Sequence, residues 1–180
     1  MTPIQRRGFV IGAGLGAAAL GAFVALRGGP SHKNAGQPLS PEAQAFWAQR
    51  FPGLDGEPLD VARWRGKPLL VNFWATWCAP CVKELPEINQ FYKEAQAKGW
   101  QVVGLAVDQL DPVKAFLHKT PLDFPIALAG SQGLALVREL GNTAGGLPFS
   151  LAFDTGGEIN WRRLGVSRLE ELRELAKTAG

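Results

Sequence analysis

The chain has 180 residues, of which 46% are hydrophobic and 19% are charged, and this balance excludes a wholly disordered polypeptide. The formal net charge is only +3, which gives little support to a nucleic-acid partner, and we expect none. After an N-terminal appendage is set aside, the remaining length suits one domain of ordinary size.

The N-terminal segment differs in composition from the rest of the chain. Arg6 and Arg7 precede a run from Gly8 to Leu26 that contains no charged residue. A charged region followed by an apolar region is typical of an export signal, and the string QRRGFV resembles a twin-arginine signal. The run is just long enough to cross a bilayer, so an uncleaved membrane anchor is the alternative.

These features divide the chain into three parts. Residues 1–27 are assigned to the export signal or membrane anchor, and residues 28–40, rich in Gly, Pro and polar groups, to a linker. Residues 41–180 are predicted to form a folded domain outside the cytoplasm. Its first helix is expected after Ser40 as N-cap and Pro41 at the first position, and to run to about residue 50.

The middle of the chain predicts a strand followed directly by a helix. The run Leu69 to Trp74 is apolar except for Asn72, which suits a strand covered on both faces. After Cys78 the apolar residues recur at steps of three and four as far as Lys98, which indicates a helix.

The second half of the domain predicts further alternation of strands and helices. The expected elements are a strand at 102–107, a helix capped at Asp111, a short strand at 124–128, a helix at 134–140, a hairpin at 150–163 and a terminal helix capped by Ser167. This order indicates an α/β fold with a mixed central sheet and helices on both faces.

Both cysteines lie at the predicted strand-to-helix junction. Cys78 falls at the start of the helix, where unpaired N–H groups and the helix dipole favour a thiolate, and Cys81 falls one turn inside. We therefore expect Cys78 to attack a disulfide and Cys81 to displace the product from the mixed disulfide. Because the cysteine pair is itself the redox group, no organic cofactor is needed.

The sequence gives less support to a metal-binding or a purely structural role for the cysteine pair. A zinc site would need two more ligands, and the only histidines are His32 in the linker and His118 on a distant helix. A purely structural disulfide closing so small a loop would constrain the unfolded chain very little.

The motif also carries a family resemblance. The segment VNFWATWCAPCVKELP resembles the active site of the TlpA/ResA-like thiol-disulfide oxidoreductases of the thioredoxin superfamily, and the similarity covers residues 51–178. It implies a thioredoxin fold with an N-terminal extension and catalysis by Cys78 and Cys81. It also implies a cis bond before Pro148, beside the cysteines, where Leu147 would present its backbone to a bound substrate strand.

Some positions depart from the pattern of related families. Thioredoxins carry a buried acid where this chain has Asn72, so a proton-relay role cannot be transferred to that position. Glu84, three residues after Cys81, is the candidate to replace it, because TlpA/ResA-like proteins have a glutamate near the active site; an exposed first-turn glutamate is the alternative. Phe149 stands where the cytochrome-maturation branch usually has Glu, which argues against a dedicated cytochrome c role.

Four further residues near the motif are weaker candidates for a direct part in the chemistry. Trp77 is expected to shape the contact surface together with Trp74, although core packing accounts for Trp74 equally well. For Asp108 and Asp111, turn and cap roles are favoured over catalysis.

The sequence thus predicts an extracytoplasmic oxidoreductase that reduces disulfides of periplasmic proteins. The resemblance implies a membrane thiol carrier as electron donor. One alternative is a thiol peroxidase, which would need an isolated peroxidatic cysteine. The other is a copper-delivery module of the same fold, which typically spaces its cysteines by three and adds a distal histidine.

Overall fold

The computed structural model describes residues 38–178. The expected signal or anchor at 1–27 and most of the linker at 28–40 lie outside these residues. The helices are α1 (Pro41–Trp47), α2 (Ala79–Ala95), α3 (Leu110–Lys119), α4 (Gly133–Glu139) and α5 (Leu169–Thr178). The strands are β1 (Arg50–Pro52), β2 (Pro58–Asp60), β3 (Leu69–Trp74), β4 (Gln101–Ala106), β5 (Ile126–Leu128), β6 (Phe149–Phe153) and β7 (Ile159–Leu164).

A mixed five-stranded sheet organises the domain. Its strand order is β5-β4-β3-β6-β7, with β4 parallel to β3 and β5, whereas β6 runs antiparallel to both β3 and β7. The remaining strands, β1 and β2, form a separate antiparallel pair. The sheet and its helices match the α/β thioredoxin fold that the resemblance implies.

The central strand β3 is buried along its whole length, as its apolar sequence predicts. Because neighbouring side chains of a strand point to opposite faces, Phe73 joins the core with α1 and α4, whereas Trp74 joins the core with α2, α3 and α5. Both cysteines belong to the second core. The sheet therefore places the motif at the end of β3, on the face that α2 covers.

Several helix boundaries differ from the predictions. Ser40 caps α1 as expected, since its Oγ accepts the Ala43 N–H at 3.3 Å, but the helix ends at Trp47 because residue 50 already begins β1. The helix α3 begins at Leu110, so Asp111 lies in its first turn rather than at its cap.

The start of α5 also differs. The helix begins at Leu169, and the Ser167 hydroxyl donates a hydrogen bond to Ser150 Oγ on β6 rather than serving the predicted capping box. A carboxylate from α2 instead satisfies a backbone N–H at the N-terminus of α5, because Glu87 Oε2 accepts the Leu169 N–H at 2.6 Å.

Candidate functional site

The candidate site begins in the turn between β3 and α2. The Cys78 N–H donates to the Ala75 carbonyl at 3.2 Å, which closes a four-residue turn at the end of the strand. Cys78 is the N-cap of α2, and Pro80 occupies the first turn, where a missing N–H costs nothing. The first cysteine therefore stands at the positive end of the 17-residue helix.

The two cysteines form a disulfide. Their Cα atoms are 5.2 Å apart, and the Cys81 N–H points at Cys78 Sγ from 3.3 Å. Cys78 retains 6% of its exposure, whereas Cys81 is fully buried. On reduction, the helix N-terminus and the Cys81 N–H would both stabilise a thiolate at Cys78. Cys78 is therefore the outer and Cys81 the inner of the two cysteines.

The two tryptophans near the motif lie in different environments. Trp74 is fully buried, and its ring packs on Phe116 of α3 with centroids 5.2 Å apart. Trp77, directly before Cys78, is 64% exposed. Core packing thus accounts for Trp74, and Trp77 is the residue that shapes the surface beside the disulfide.

The peptide bond between Leu147 and Pro148 is cis, as the resemblance implies. Pro148 directly precedes β6, and its carbonyl accepts the Gly165 N–H at 2.9 Å. Leu147 is partly buried and packs against both cores, including the one that contains the cysteines. Phe149 points into the core and stacks on Phe73, with ring centroids 6.0 Å apart, so its side chain is withdrawn from the surface.

Glu84 is fully buried, so the alternative of an exposed first-turn glutamate is wrong. One carboxylate oxygen accepts the Asn72 amide N–H at 2.7 Å, and the other accepts the Ser167 backbone N–H at 2.6 Å. Ser150 Oγ completes the cluster, accepting from Asn72 at 3.0 Å and from the Ser167 hydroxyl at 3.2 Å. A carboxyl group from α2 thus lies against Asn72, the position on β3 where thioredoxins carry a buried acid.

This environment perturbs the carboxyl group. Burial raises the pKa of Glu84 to about 7, although the hydrogen bonds from Ser167 and Asn72 oppose the rise. The Glu87 carboxylate raises this pKa further, and Arg163 lowers it. Glu84 can therefore exchange a proton near neutral pH, one helical turn after Cys81.

Sequence reasoning missed Ser150 and Ser167 as parts of this cluster. A usable signal existed for Ser150, because it is a small polar residue in an otherwise apolar strand and pairs with Asn72 across the sheet. No local signal marks Ser167, which is 83 positions from Glu84 in sequence.

Two further findings bear on the predicted site. Among residues 38–178, no group of three or more His, Cys, Asp or Glu side chains is arranged to hold a metal ion. Within the same residues, no helix combines the length and hydropathy that crossing a membrane requires.

The chain is similar in sequence to known proteins. The family model described as Redoxin matches residues 34–178. The thiol-disulfide oxidoreductase ResA of Bacillus thuringiensis (strain Al Hakam) is 33% identical over 125 residues, which cover 69% of this chain and 70% of that protein.

Solved structures show the same likeness. A thioredoxin-related protein from Neisseria meningitidis serogroup B is 34% identical, with a TM-score of 0.63, and the match covers 72% of this chain and 97% of that one. A thiol:disulfide interchange protein of the thioredoxin family from Chlorobium tepidum TLS is 29% identical, with a TM-score of 0.63 and coverage of 73% and 92%.

Proposed function

Since the chain belongs to the Redoxin family and is a ResA-like thiol-disulfide oxidoreductase, we propose that it reduces disulfides of periplasmic proteins through the Cys78–Cys81 pair. The observation that carries the proposal is the disulfide at the N-terminus of α2, with Cys78 slightly exposed and Cys81 fully buried. A thiolate at Cys78 can reach an incoming disulfide, whereas Cys81 can reach only Cys78.

The reaction balances as two successive exchanges. The Cys78 thiolate attacks one sulfur of the substrate disulfide, forms a mixed disulfide and releases the other substrate sulfur as a thiolate. Cys81 then loses its proton and attacks Cys78 Sγ, which restores the protein disulfide and releases the second substrate sulfur. Two electrons and two protons pass to the substrate, and a membrane thiol donor returns the electrons.

Two further residues have proposed roles in this reaction. We assign Glu84 as the group that receives or supplies a proton at the buried side of the pair, which its burial and its pKa of about 7 support. Pro148 fixes the backbone of Leu147 for contact with the substrate strand, a role that the family resemblance implies and that the packing of Leu147 against the core of the cysteines supports.

The location outside the cytoplasm is proposed from the sequence. The charge-free run after Arg6 and Arg7 supports export or anchoring at the inner membrane by residues 1–27, with residues 28–40 as linker and 41–180 as the domain. The twin-arginine route is the finer part of this proposal, because QRRGFV keeps the paired arginines and the following apolar residues.

Trapping the mixed disulfide tests the proposed reaction. Cys81→Ser leaves Cys78 able to attack but removes the displacing thiol, so covalent complexes with substrate proteins should accumulate in cells and dissolve on reduction. Cys78→Ser is the matched control, because it keeps one thiol but at the fully buried position. Equal yields of complexes from the two variants would contradict the assignment of roles.

A further inference from the structure

An acidic residue just after the neighbouring strand β4 holds the turn that carries the motif. Asp108 lies two residues after the end of β4. Its Oδ2 accepts both the backbone N–H of Thr76, at 2.9 Å, and the Thr76 hydroxyl, at 2.6 Å. Its Oδ1 accepts the Gln109 N–H at 2.8 Å. The carboxylate therefore links the end of β4 to the residue two positions before Cys78.

This link is charge-assisted near neutral pH. Partial burial would raise the pKa of Asp108, but the hydrogen bonds from Thr76 and Gln109 outweigh it and hold the pKa below its usual value. Hydrogen bonds to an ionised acceptor are shorter and stronger than those between neutral groups. Asp108 thus holds Thr76 by two strong hydrogen bonds, one from the backbone N–H of Thr76 and one from its hydroxyl.

The turn that Asp108 holds carries the exposed part of the site. Thr76 and Trp77 are the two central residues of the turn that the Cys78 N–H closes on the Ala75 carbonyl. Among residues 38–178, the large hydrophobic side chains that stand exposed are Trp77, at 64%, and Leu164, at 57%. Fixing Thr76 therefore restrains both the Trp77 backbone and the start of the helix that bears Cys78.

We propose that Asp108 is a positioning residue that acts through Thr76 to hold the Trp77 indole and the Cys78 sulfur in one fixed arrangement for a disulfide-bonded polypeptide. The inference rests on the proposed function, because it names the substrate feature that the same site recognises: apolar chain next to the disulfide. A large, stiff indole held in advance gives contact area at little ordering cost on binding. A small disulfide with no attached chain has no group that could pack on the indole, so the hydrogen bonds between Asp108 and Thr76 should have little effect on its reduction.

Two pairs of variants separate positioning from a general effect on folding. Asp108→Ala removes all three hydrogen bonds, and Asp111→Asn is its matched control, an acidic residue in the first turn of α3. Thr76→Val removes only the hydrogen bond from the hydroxyl and leaves the charge of Asp108 in place. Thr76→Ser keeps the hydroxyl donor, so it should reduce the peptide disulfide as the wild type does. Thermal melting of each oxidised variant shows whether the fold survives.

The assay compares two substrates of the reduced protein. One is a disulfide-bonded peptide with apolar flanking residues, and the other is bis(2-hydroxyethyl) disulfide, which has neither a peptide chain nor an aromatic ring that could pack on the indole. Loss of hydrogen bonds to a charged group predicts that Asp108→Ala lowers kcat/KM for the peptide about tenfold, mainly through KM, and Thr76→Val about threefold. With the small disulfide, both variants should stay within about twofold of the wild type.

A double-mutant cycle tests whether Asp108 acts through Trp77. If it does, Asp108→Ala introduced into the Trp77→Ala variant should lower kcat/KM for the peptide by less than about a further twofold. Equal losses on both substrates, no loss on the peptide with either Asp108→Ala or Thr76→Val, or multiplicative effects in the cycle would overturn the inference. A wild-type protein that reduces the small disulfide but no peptide disulfide would overturn the proposed function as well, so the two failures are distinguishable.

Discussion

Glu84→Gln should remove a pH dependence from the stability of the oxidised domain. The pKa of this buried carboxyl rises from 4.5 to about 7 on folding. Between these values the folded state binds more protons than the unfolded state, so the free energy of unfolding falls as the pH rises through the interval. The free energy of unfolding changes by about 1.4 kcal/mol for each pH unit, so the total decrease across this interval is about 3 kcal/mol.

The substitution is well matched because the cluster can keep its hydrogen bonds. The new carboxamide oxygen can accept the Ser167 N–H, and its NH2 group then faces Asn72. Asn72 Oδ1 has no hydrogen-bond partner within the described residues, and rotating this amide by a half-turn lets it accept the new donor. Ser150 Oγ can then donate to the same oxygen instead of accepting from the amide.

Denaturant unfolding of the oxidised protein, followed between pH 4.5 and 8, checks this prediction. The wild type and Glu84→Gln should have similar stability at the acid end, and the variant should be more stable by about 3 kcal/mol at the alkaline end. The disulfide keeps the cysteines from titrating, and the exposed His118 is common to all variants. Glu139→Gln, at an exposed position on α4, is the control, and its free energy of unfolding should change with pH as that of the wild type does. Equal slopes for the wild type and Glu84→Gln would refute the reasoning.

Three other predictions concern the cysteines and the N-terminal segment. In the reduced protein, alkylation should modify Cys78 before Cys81 near neutral pH, because Cys78 is slightly exposed and faces the helix N-terminus; faster labelling of Cys81 would reverse the roles. Equilibration with glutathione or dithiothreitol should give a potential nearer about −270 mV than about −120 mV, because Ala79 and Pro80 add no side-chain donor to the thiolate, and a value above about −180 mV would indicate an oxidant. Residues 1–40 should export a reporter that works only in the periplasm, and activity that survives replacement of both Arg6 and Arg7 by Lys would contradict the twin-arginine route.

Local features of the sequence determined much of the fold and the redox centre. The strand Leu69–Trp74 has the predicted bounds, because an apolar run of that length is stable only when both faces are covered. Cys78 caps α2 because the helical period begins directly after it, and the spacing to Cys81 places the second sulfur within bonding distance. The cis bond before Pro148 followed from the resemblance rather than from the residues themselves.

Only the tertiary structure decided what surrounds the disulfide. The local sequence left Glu84 either exposed or buried, and burial follows from Asn72 on β3 and Ser167 before α5, which approach it across the domain. The bonds from Thr76 to Asp108 likewise join residues 32 positions apart, brought together because β3 and β4 pair in parallel. Side-chain periodicity reports which face of an element is buried, but the partner that satisfies a buried polar group depends on sheet pairing and helix packing.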